Sequence, residues 1–484
     1  MGRVLLRDVG FTAVPLEPDT PNMNADSESQ LLSEQIGQFI AGFVLESVPP
    51  RALERARIAF IDTLGVMLAG SREGPAVIVR DMVALEGTHP VASIVGTSQR
   101  ASPQLAALAN GVASHALDFD LTCMQGQLTA SLIPALLPIA ESSSATPRET
   151  IAAYIVGFEV ASHLSRANPN HNGAGAWHGT GTIGTIAAAA ASARLLKVPA
   201  SAIPNVIGIA VSLASGVNAN YGTMTKPLHA GQAARNGMTA ALLGMRGFSA
   251  NHAAIEGRGG FAHTFARDLE WHVEAFEDLG KHYDLAEQGF QLKRYPCGGV
   301  IHTAIDAALM LRQKLGEQIT QISAINAGIS HYAANRAKPE YPTDTEAAKF
   351  NLQYVIGFAL AKGSPKLDSF AAQARDDSRV KGLAQLVCVS LDPEFADART
   401  HYPTRLQVTL SDGRMIGEVR YQPSGAADFP LSTAQIEEKF INCATQTIDN
   451  EAAEKLLGLL GEFDKQPCLE QLWPLLQRSA NDVT

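Results

Sequence analysis

The 484-residue chain is short of several things, and each shortage excludes a class of protein. Charged residues make up 18% against 46% hydrophobic ones, below the ~25% charge usual in soluble domains. Disorder needs the opposite balance, so a large buried core is expected. Aromatics reach only 6%, and alanine fills much of the apolar share, which favours closely packed helices over a β-sandwich. Cysteine is scarce and scattered: Cys123, Cys297, Cys388, Cys443 and Cys468 form no CxxC. A zinc ribbon, an iron–sulfur cluster and a disulfide framework are therefore not expected, and a reducing compartment, the cytoplasm, is. With 38 basic residues against 48 acidic ones, the net charge of −10 argues against nucleic acid or an anionic membrane as partner. The longest apolar stretch, Thr182–Ala193, stops at Arg194, short of the ~20 residues a membrane span needs. Arg7 and Asp8 interrupt the first apolar run, so no signal peptide is expected, and Leu6 stands where a myristoylation motif needs Ser or Thr.

What is present is mainly helical. Residues 1–28, with Pro15, Pro18 and Pro21, read as a flexible leader. From Leu31 the apolar residues recur at helical spacing. Leu53, Ala56, Phe60, Leu64 and Met67 mark one helix from Pro50 to Gly70. Further helices are expected over Pro103–Leu117, Ser131–Glu141, Arg148–Ser165, Thr182–Leu196, Ala202–Ser215, Gly231–Met245 and Asn251–Glu256. Strand-like runs then appear at Ile322–Ile329, Leu386–Leu391, Arg405–Leu410 and Met415–Tyr421, the last two flanking an Asp412-Gly413 turn. Helices Thr303–Lys314 and Ala347–Ala361 sit among them. The expected fold class is mainly α: a large all-helical domain over 29–280, completed by 425–484, with a smaller inserted α+β lid domain over 281–424.

The clearest local signal is another absence. From Val160 to Ile255 there is no Asp or Glu, while Arg166, Arg194, Lys197, Lys226, Arg235 and Arg246 give the stretch +6. Two readings stand side by side: a buried helical core poor in all charges, or a pocket for a polycarboxylate. Within it, Gly179, Gly181 and Gly184 satisfy GxGxxG, yet no strand precedes them and no acidic residue follows at ~20 positions, so a dinucleotide site is rejected. What remains is a glycine-rich loop opening a helix, with His178 at the start of that helix, where backbone N–H groups can hold an anion. Lys226 precedes Pro227 and is expected to project from a loop, either as a carboxylate or enolate partner or as an ordinary surface lysine. The Asp118-Phe119-Asp120 segment could ligate Mg²⁺, but no other carboxylates cluster nearby in sequence, so capping or hydrogen bonding of a loop is preferred and no metal is expected. GxSxG, P-loop and HExxH motifs do not occur.

In order, the segments IDTLGVMLAG, HALDFDLT, GAWHGTGTIG, TKPLHAGQAARNG, KRYPC and HYAANR resemble the MmgE/PrpD family over nearly the whole chain from Leu31. That family includes 2-methylcitrate dehydratase, cis-aconitate decarboxylase and iminodisuccinate epimerase. The resemblance implies a helical domain with a smaller lid, a homodimer, and chemistry at a carbon beside a carboxylate with no metal or organic cofactor. By position it assigns catalysis to Asp118, His178, Lys226 and Tyr332, and substrate binding to Thr122 and Lys293. One departure is plain. Leu128 stands where many members carry a histidine, and Leu121 replaces an acid. A leucine cannot transfer a proton, so Leu128 is expected to form an apolar wall and the proton chemistry to fall to other residues. The function expected is that of a cytoplasmic lyase on a small di- or tricarboxylate, first a 2-methylcitrate dehydratase-like hydro-lyase. The alternatives are a decarboxylase of a cis-aconitate-like acid, an epimerase of an iminodisuccinate-like acid, or a silent carboxylate-binding homologue.

Overall fold

A computed structural model describes residues 30–87, 89–267, 269–335 and 340–478. The leader expected over 1–28 lies outside the described residues. The chain divides into two compact units, one running to Phe290 and resumed from Ile436, the other Gln291–Gln435. Among the described residues no helix is long and apolar enough to cross a membrane.

The first unit is built of α1 (Leu32–Gly42), α2 (Pro50–Gly70), α3 (Gly74–Glu86), α4 (Pro103–His115), α5 (Thr129–Ser143), α6 (Pro147–Ala167), α7 (Thr182–Leu195), α8 (Ile203–Leu213) and α9 (Thr225–Gly244). Several begin with a proline in the first turn, where its missing N–H costs no intrahelical bond. α6 also carries a full capping box between Thr146 and Glu149. The alanine content has a direct consequence for packing. α7 is buried on every face, and α4 crosses α9 so closely that a Cβ on Gly111 would lie 2.6 Å from the Cα of Gly231. Helices Thr433–Ala444 and Asn450–Gly461 return to this unit. Phe440 packs over Gly65 of α2, and Phe463 stacks on Phe60 at 4.5 Å.

The second unit holds a mixed four-stranded sheet. Ile322–Ile329 pairs in parallel with Val387–Leu391 and antiparallel with Thr404–Leu410, which pairs antiparallel with Met415–Arg420. The Asp412-Gly413 turn closes the hairpin, Gly413 N–H donating to Leu410 O at 2.9 Å. Leu406, Val408 and Leu410 alternate inward with Ile325, Ala327 and Ile329. They share a core with α10 (His302–Leu315) and helix Leu352–Lys362.

Two expected helices are corrected. Asn251–Glu256 is a run of turns, because the Asn251 side chain accepts the N–H of Ala253 at 2.9 Å and draws the backbone away from a helix. Ala347–Ala361 is broken in two, because Asn351 starts a fresh helix by accepting the N–H of Tyr354 at 2.7 Å.

Candidate active site

Four segments of the first unit meet around a set of acids, histidines and a lysine. α4 ends at His115, and the chain turns immediately at Asp118, which takes a left-handed φ of 51°. Asp adopts that region more readily than most side chains. The turn directs Asp118 and Asp120 to different partners. Asp120 is fully buried and receives His115 Nδ1, at 2.9 Å and 3.1 Å from its two oxygens. Asp118 receives the Lys226 ammonium at 2.6 Å and the Gln127 amide at 3.1 Å. The turn is braced from behind. Leu121 N–H donates to Asp62 of α2 at 3.1 Å, and Lys439 reaches Asp62 at 2.5 Å and the carbonyl of Phe119 at 2.8 Å. The returning C-terminal helix thus fixes the turn that presents the acids.

His178 enters from the glycine-rich loop, which lies against the 123–128 segment. A Cβ on Gly179 would fall 2.2 Å from the carbonyl oxygen of Gln125, so the glycine there admits a neighbouring backbone rather than a phosphate. The His178 carbonyl accepts the N–H groups of Gly181 and Thr182 and so opens α7. Its side chain turns inward and is 1% exposed. His178 Nδ1 lies 2.9 Å from Nδ1 of His229, one turn along α9 from Lys226. The His115 ring stacks on His178 at 5.6 Å, and Tyr221 meets His178 edge-on at 5.0 Å. Burial, with His115, Lys226 and His229 beside it, holds the His178 pKa well below its ordinary value, so the ring is neutral near pH 7. His229 is lowered for the same reasons, burial first.

Two neutral imidazoles joined Nδ1 to Nδ1 share a single proton in that bond. If His178 donates, its Nε2 is a bare lone pair; if His229 donates, His178 Nε2 carries hydrogen. The tautomer of His229 therefore decides whether His178 acts as base or acid. The Nε2 atoms of His178 and His115 are both buried and find no hydrogen-bond partner among the described residues. Buried polar atoms are rarely left so, and two such nitrogens on stacked rings mark where a substrate would supply the missing partners.

Of the residues expected from sequence, Asp118, His178 and Lys226 come together. Lys226 does so differently from expectation: it lies in the first turn of α9, not in a loop, because Pro227 is tolerated at a position whose N–H has no helical acceptor. Thr122 lies four residues after Asp118 and is partly buried. Leu128 is fully buried at the N-cap of α5. Lys293 and Tyr332 belong to the second unit, where Lys293 is 3% exposed and Tyr332 stacks on Tyr402 at 5.4 Å. Sequence reading assigns no catalytic role to His115, Gln127 or His229, and names Asp120 only within the Asp118-Phe119-Asp120 segment. The available signals were the His-x4-Asp spacing across a helix end and a histidine three residues after Lys226 on one helical face. Ligand atoms of His115, Asp118 and Asp120 lie within 4.8 Å of one another, as do those of Glu159, His163 and Asp284. In the first set Lys226 already neutralises Asp118, and a metal would have to displace it.

Comparison with known proteins agrees with the resemblance. The family model described as the MmgE/PrpD N-terminal domain matches residues 34–274, and that of the C-terminal domain matches 295–460. A human cis-aconitate decarboxylase is 26% identical over 449 residues, covering 90% of this chain and 92% of its own length. A cis-aconitate decarboxylase-like protein of Aspergillus oryzae is 28% identical, covering 89% and 94%. The cis-aconitate decarboxylase of Aspergillus terreus is 25% identical, covering 93% and 97%.

Proposed function

This chain belongs to the MmgE/PrpD family, and on that footing we propose that it is a cofactor-independent lyase that decarboxylates a small, cis-aconitate-like tricarboxylate. The observation that carries the reading is the pairing of a lysine on a carboxylate with two stacked histidines whose Nε2 atoms lack partners. Decarboxylation is favoured over water loss because the human and Aspergillus terreus relatives, covered over nine-tenths of their length, are cis-aconitate decarboxylases. The chemistry also asks less of the site. Loss of CO₂ from an acid arm one carbon removed from a C=C breaks one C–C bond. Its electron pair forms the new C=C, while the old π pair moves to the carbon beside the remaining carboxylate and takes up one proton there. No hydroxide leaves, so no acid is needed for a leaving group.

Lys226 stabilises the enolate-like charge that develops on that carboxylate, drawing away from Asp118 as the substrate arrives. Asp118 and Gln127 keep the ammonium aimed at the site when it is empty. His178 moves the proton, with His229 setting its tautomer. His115, oriented by Asp120, is the second proton carrier and takes the part that Leu128 cannot play. Thr122 binds a substrate carboxylate; for Lys293 and Tyr332 the assignment rests on the family resemblance alone.

The test is NMR in D₂O with cis-aconitate, 2-methylcitrate and an imino-dicarboxylate offered separately. Release of CO₂ from cis-aconitate, with one deuterium in the product methylene, is the expected outcome. Water loss from 2-methylcitrate without decarboxylation would replace this reading with the hydro-lyase one. Absence of hydrogen exchange and of turnover on all three acids would leave a carboxylate-binding homologue.

A further inference from the structure

The second unit contains a cleft of about 730 Å³, wholly within its own residues and lined by Arg294, Arg312 and Arg420. Leu309 and Phe429 form part of its apolar wall. Asp306 is a carboxylate among the lining residues, and other donors claim it: the Tyr295 hydroxyl at 2.6 Å, with Ser424 N–H at 2.7 Å and its hydroxyl at 3.0 Å. Arg294 stands 3.8 Å from it, beyond hydrogen-bond distance. Arg420 repeats the arrangement. Its nearest carboxylate, Glu418, lies 3.8 Å away and is held by Lys314 at 2.6 Å, so the buried Nε of Arg420 finds no hydrogen-bond acceptor among the described residues.

Opposing charge is also present and has to be counted. The carboxyl ends of α10 and of helix Leu352–Lys362 reach the cleft at Gly316 and Gly363, each contributing roughly half a negative charge. Arg312 answers the second by donating to the carbonyl of Leu360. Set against Asp306 and the two helix ends, the three guanidiniums leave an excess of about one positive charge, concentrated on Arg294 and Arg420.

We propose that this cleft is a second ligand site, specific for a small organic oxyanion whose charged group is gripped by Arg294 and Arg420 and whose carbon body rests on Leu309 and Phe429. Guanidinium forks match phosphate and carboxylate oxygens two at a time, and the volume suits a metabolite rather than a lone ion. The lining residues all belong to the second unit, and the proposal does not depend on the assignment of the histidine–lysine cluster.

Isothermal titration of the full chain with pyrophosphate, and separately with tricarballylate, tells a phosphate from a carboxylate ligand. Lys226→Ala serves as background in both arms, so that binding at the first-unit site is weakened. Saturable binding of one probe with a dissociation constant below roughly 1 mM is expected. It should weaken at least about tenfold in Arg294→Gln/Arg420→Gln. If that double variant does not fold, Arg420→Lys takes its place; it keeps the charge, loses the fork, and should weaken binding by about threefold or more. Lack of saturable binding of either probe, or binding undiminished in a folded arginine variant, overturns the proposal.

Discussion

The first unit buries two sets of acids and histidines, and they are built on opposite terms. Around Glu159, the carboxylate accepts the N–H groups of Asp284 and Leu285 at 2.9 Å and 3.0 Å. His163 is held at one nitrogen by the Glu159 carbonyl at 2.7 Å and lies 3.2 Å from Asp278 at the other. Arg166 spans Asp278 at 2.6 Å and Asp284 at 3.2 Å, and Asp284 also accepts the Ser162 hydroxyl. Each of these side chains is held by another protein group: Arg166 Nε and Asp284 Oδ1, which make no hydrogen bond, lie in ion pairs at 3.2 Å and 3.3 Å, and the set ties the 278–285 segment to α6. Around His178 the residue types are the same, but two ring nitrogens face no protein partner. The contrast teaches that residue type alone does not separate a scaffold from a site. What separates them is which polar atoms the protein leaves for something else to satisfy.

The largest effect should fall on the unsatisfied set. His178→Asn keeps a buried polar side chain but removes proton transfer, and turnover of cis-aconitate should fall by about 10²–10⁴ with the melting temperature little changed. His115→Asn should fall in the same range if it is the second proton carrier. A loss below about tenfold in a steady-state assay would return either residue to the scaffold.

Next comes Lys226→Ala. Removing a charged hydrogen-bond donor should weaken tricarboxylate binding by roughly 1.5–3 kcal/mol. Asp118 also loses the Lys226 ammonium, which leaves its negative charge less screened from the acid. Equal affinity of wild type and variant by calorimetry would remove Lys226 from the site.

Much of this contrast was legible in the sequence, and the rest was hidden for physical reasons. Periodicity located most of the first-unit helices and all four strands of the second-unit sheet, because each buries one face or alternates. The acid-free stretch held both of its readings at once. His178, Lys226 and His229 line the site, while Arg194 caps the carbonyls of Ile40 and Phe43 and Lys197 pairs with Glu149. His115 closes an apolar helix, where a histidine reads as interior. Its partner Asp120 is brought to it only by the left-handed turn at Asp118. Lys226 precedes a proline and so reads as a loop residue, but a helix's first turn is where that restriction is weakest.

A smaller effect is expected from Leu128→His, which introduces the histidine that the family resemblance implies at this position. Leu128 is fully buried, so the imidazole must find a partner in a space shaped for a leucine. A cost of about 1–3 kcal/mol in stability is expected, with turnover within about tenfold of wild type. Thermal melts and initial rates on cis-aconitate read the two effects apart. A rise in turnover would show that position 128 faces the substrate and that His115 does not fully replace the missing group.

The smallest effect on chemistry, and the sharpest test of the contrast, is Glu159→Gln. Glu159 sits outside the proposed reaction, so turnover should change by less than about twofold. Its role should appear instead in the pH dependence of stability. Burial, with Asp284 beside it, outweighs the two backbone donors and Arg166 and pushes its pKa up to about 8. A carboxyl raised in the folded state takes up a proton on folding. Its contribution is therefore full below the ordinary carboxyl range near 4.5 and is lost as pH rises through about 8. His171 works in the other direction: burial lowers it to about 4, so its contribution is full above 6.5 and is lost as pH falls through 4. Between pH 6.5 and 8 the histidine is constant and Glu159 supplies the slope. The melting temperature of the wild type should decline across that window, and that of Glu159→Gln should be flatter. An unchanged slope together with a large loss of turnover would mean that the Glu159 set serves the reaction, and that satisfied hydrogen bonds do not mark the scaffold in this protein.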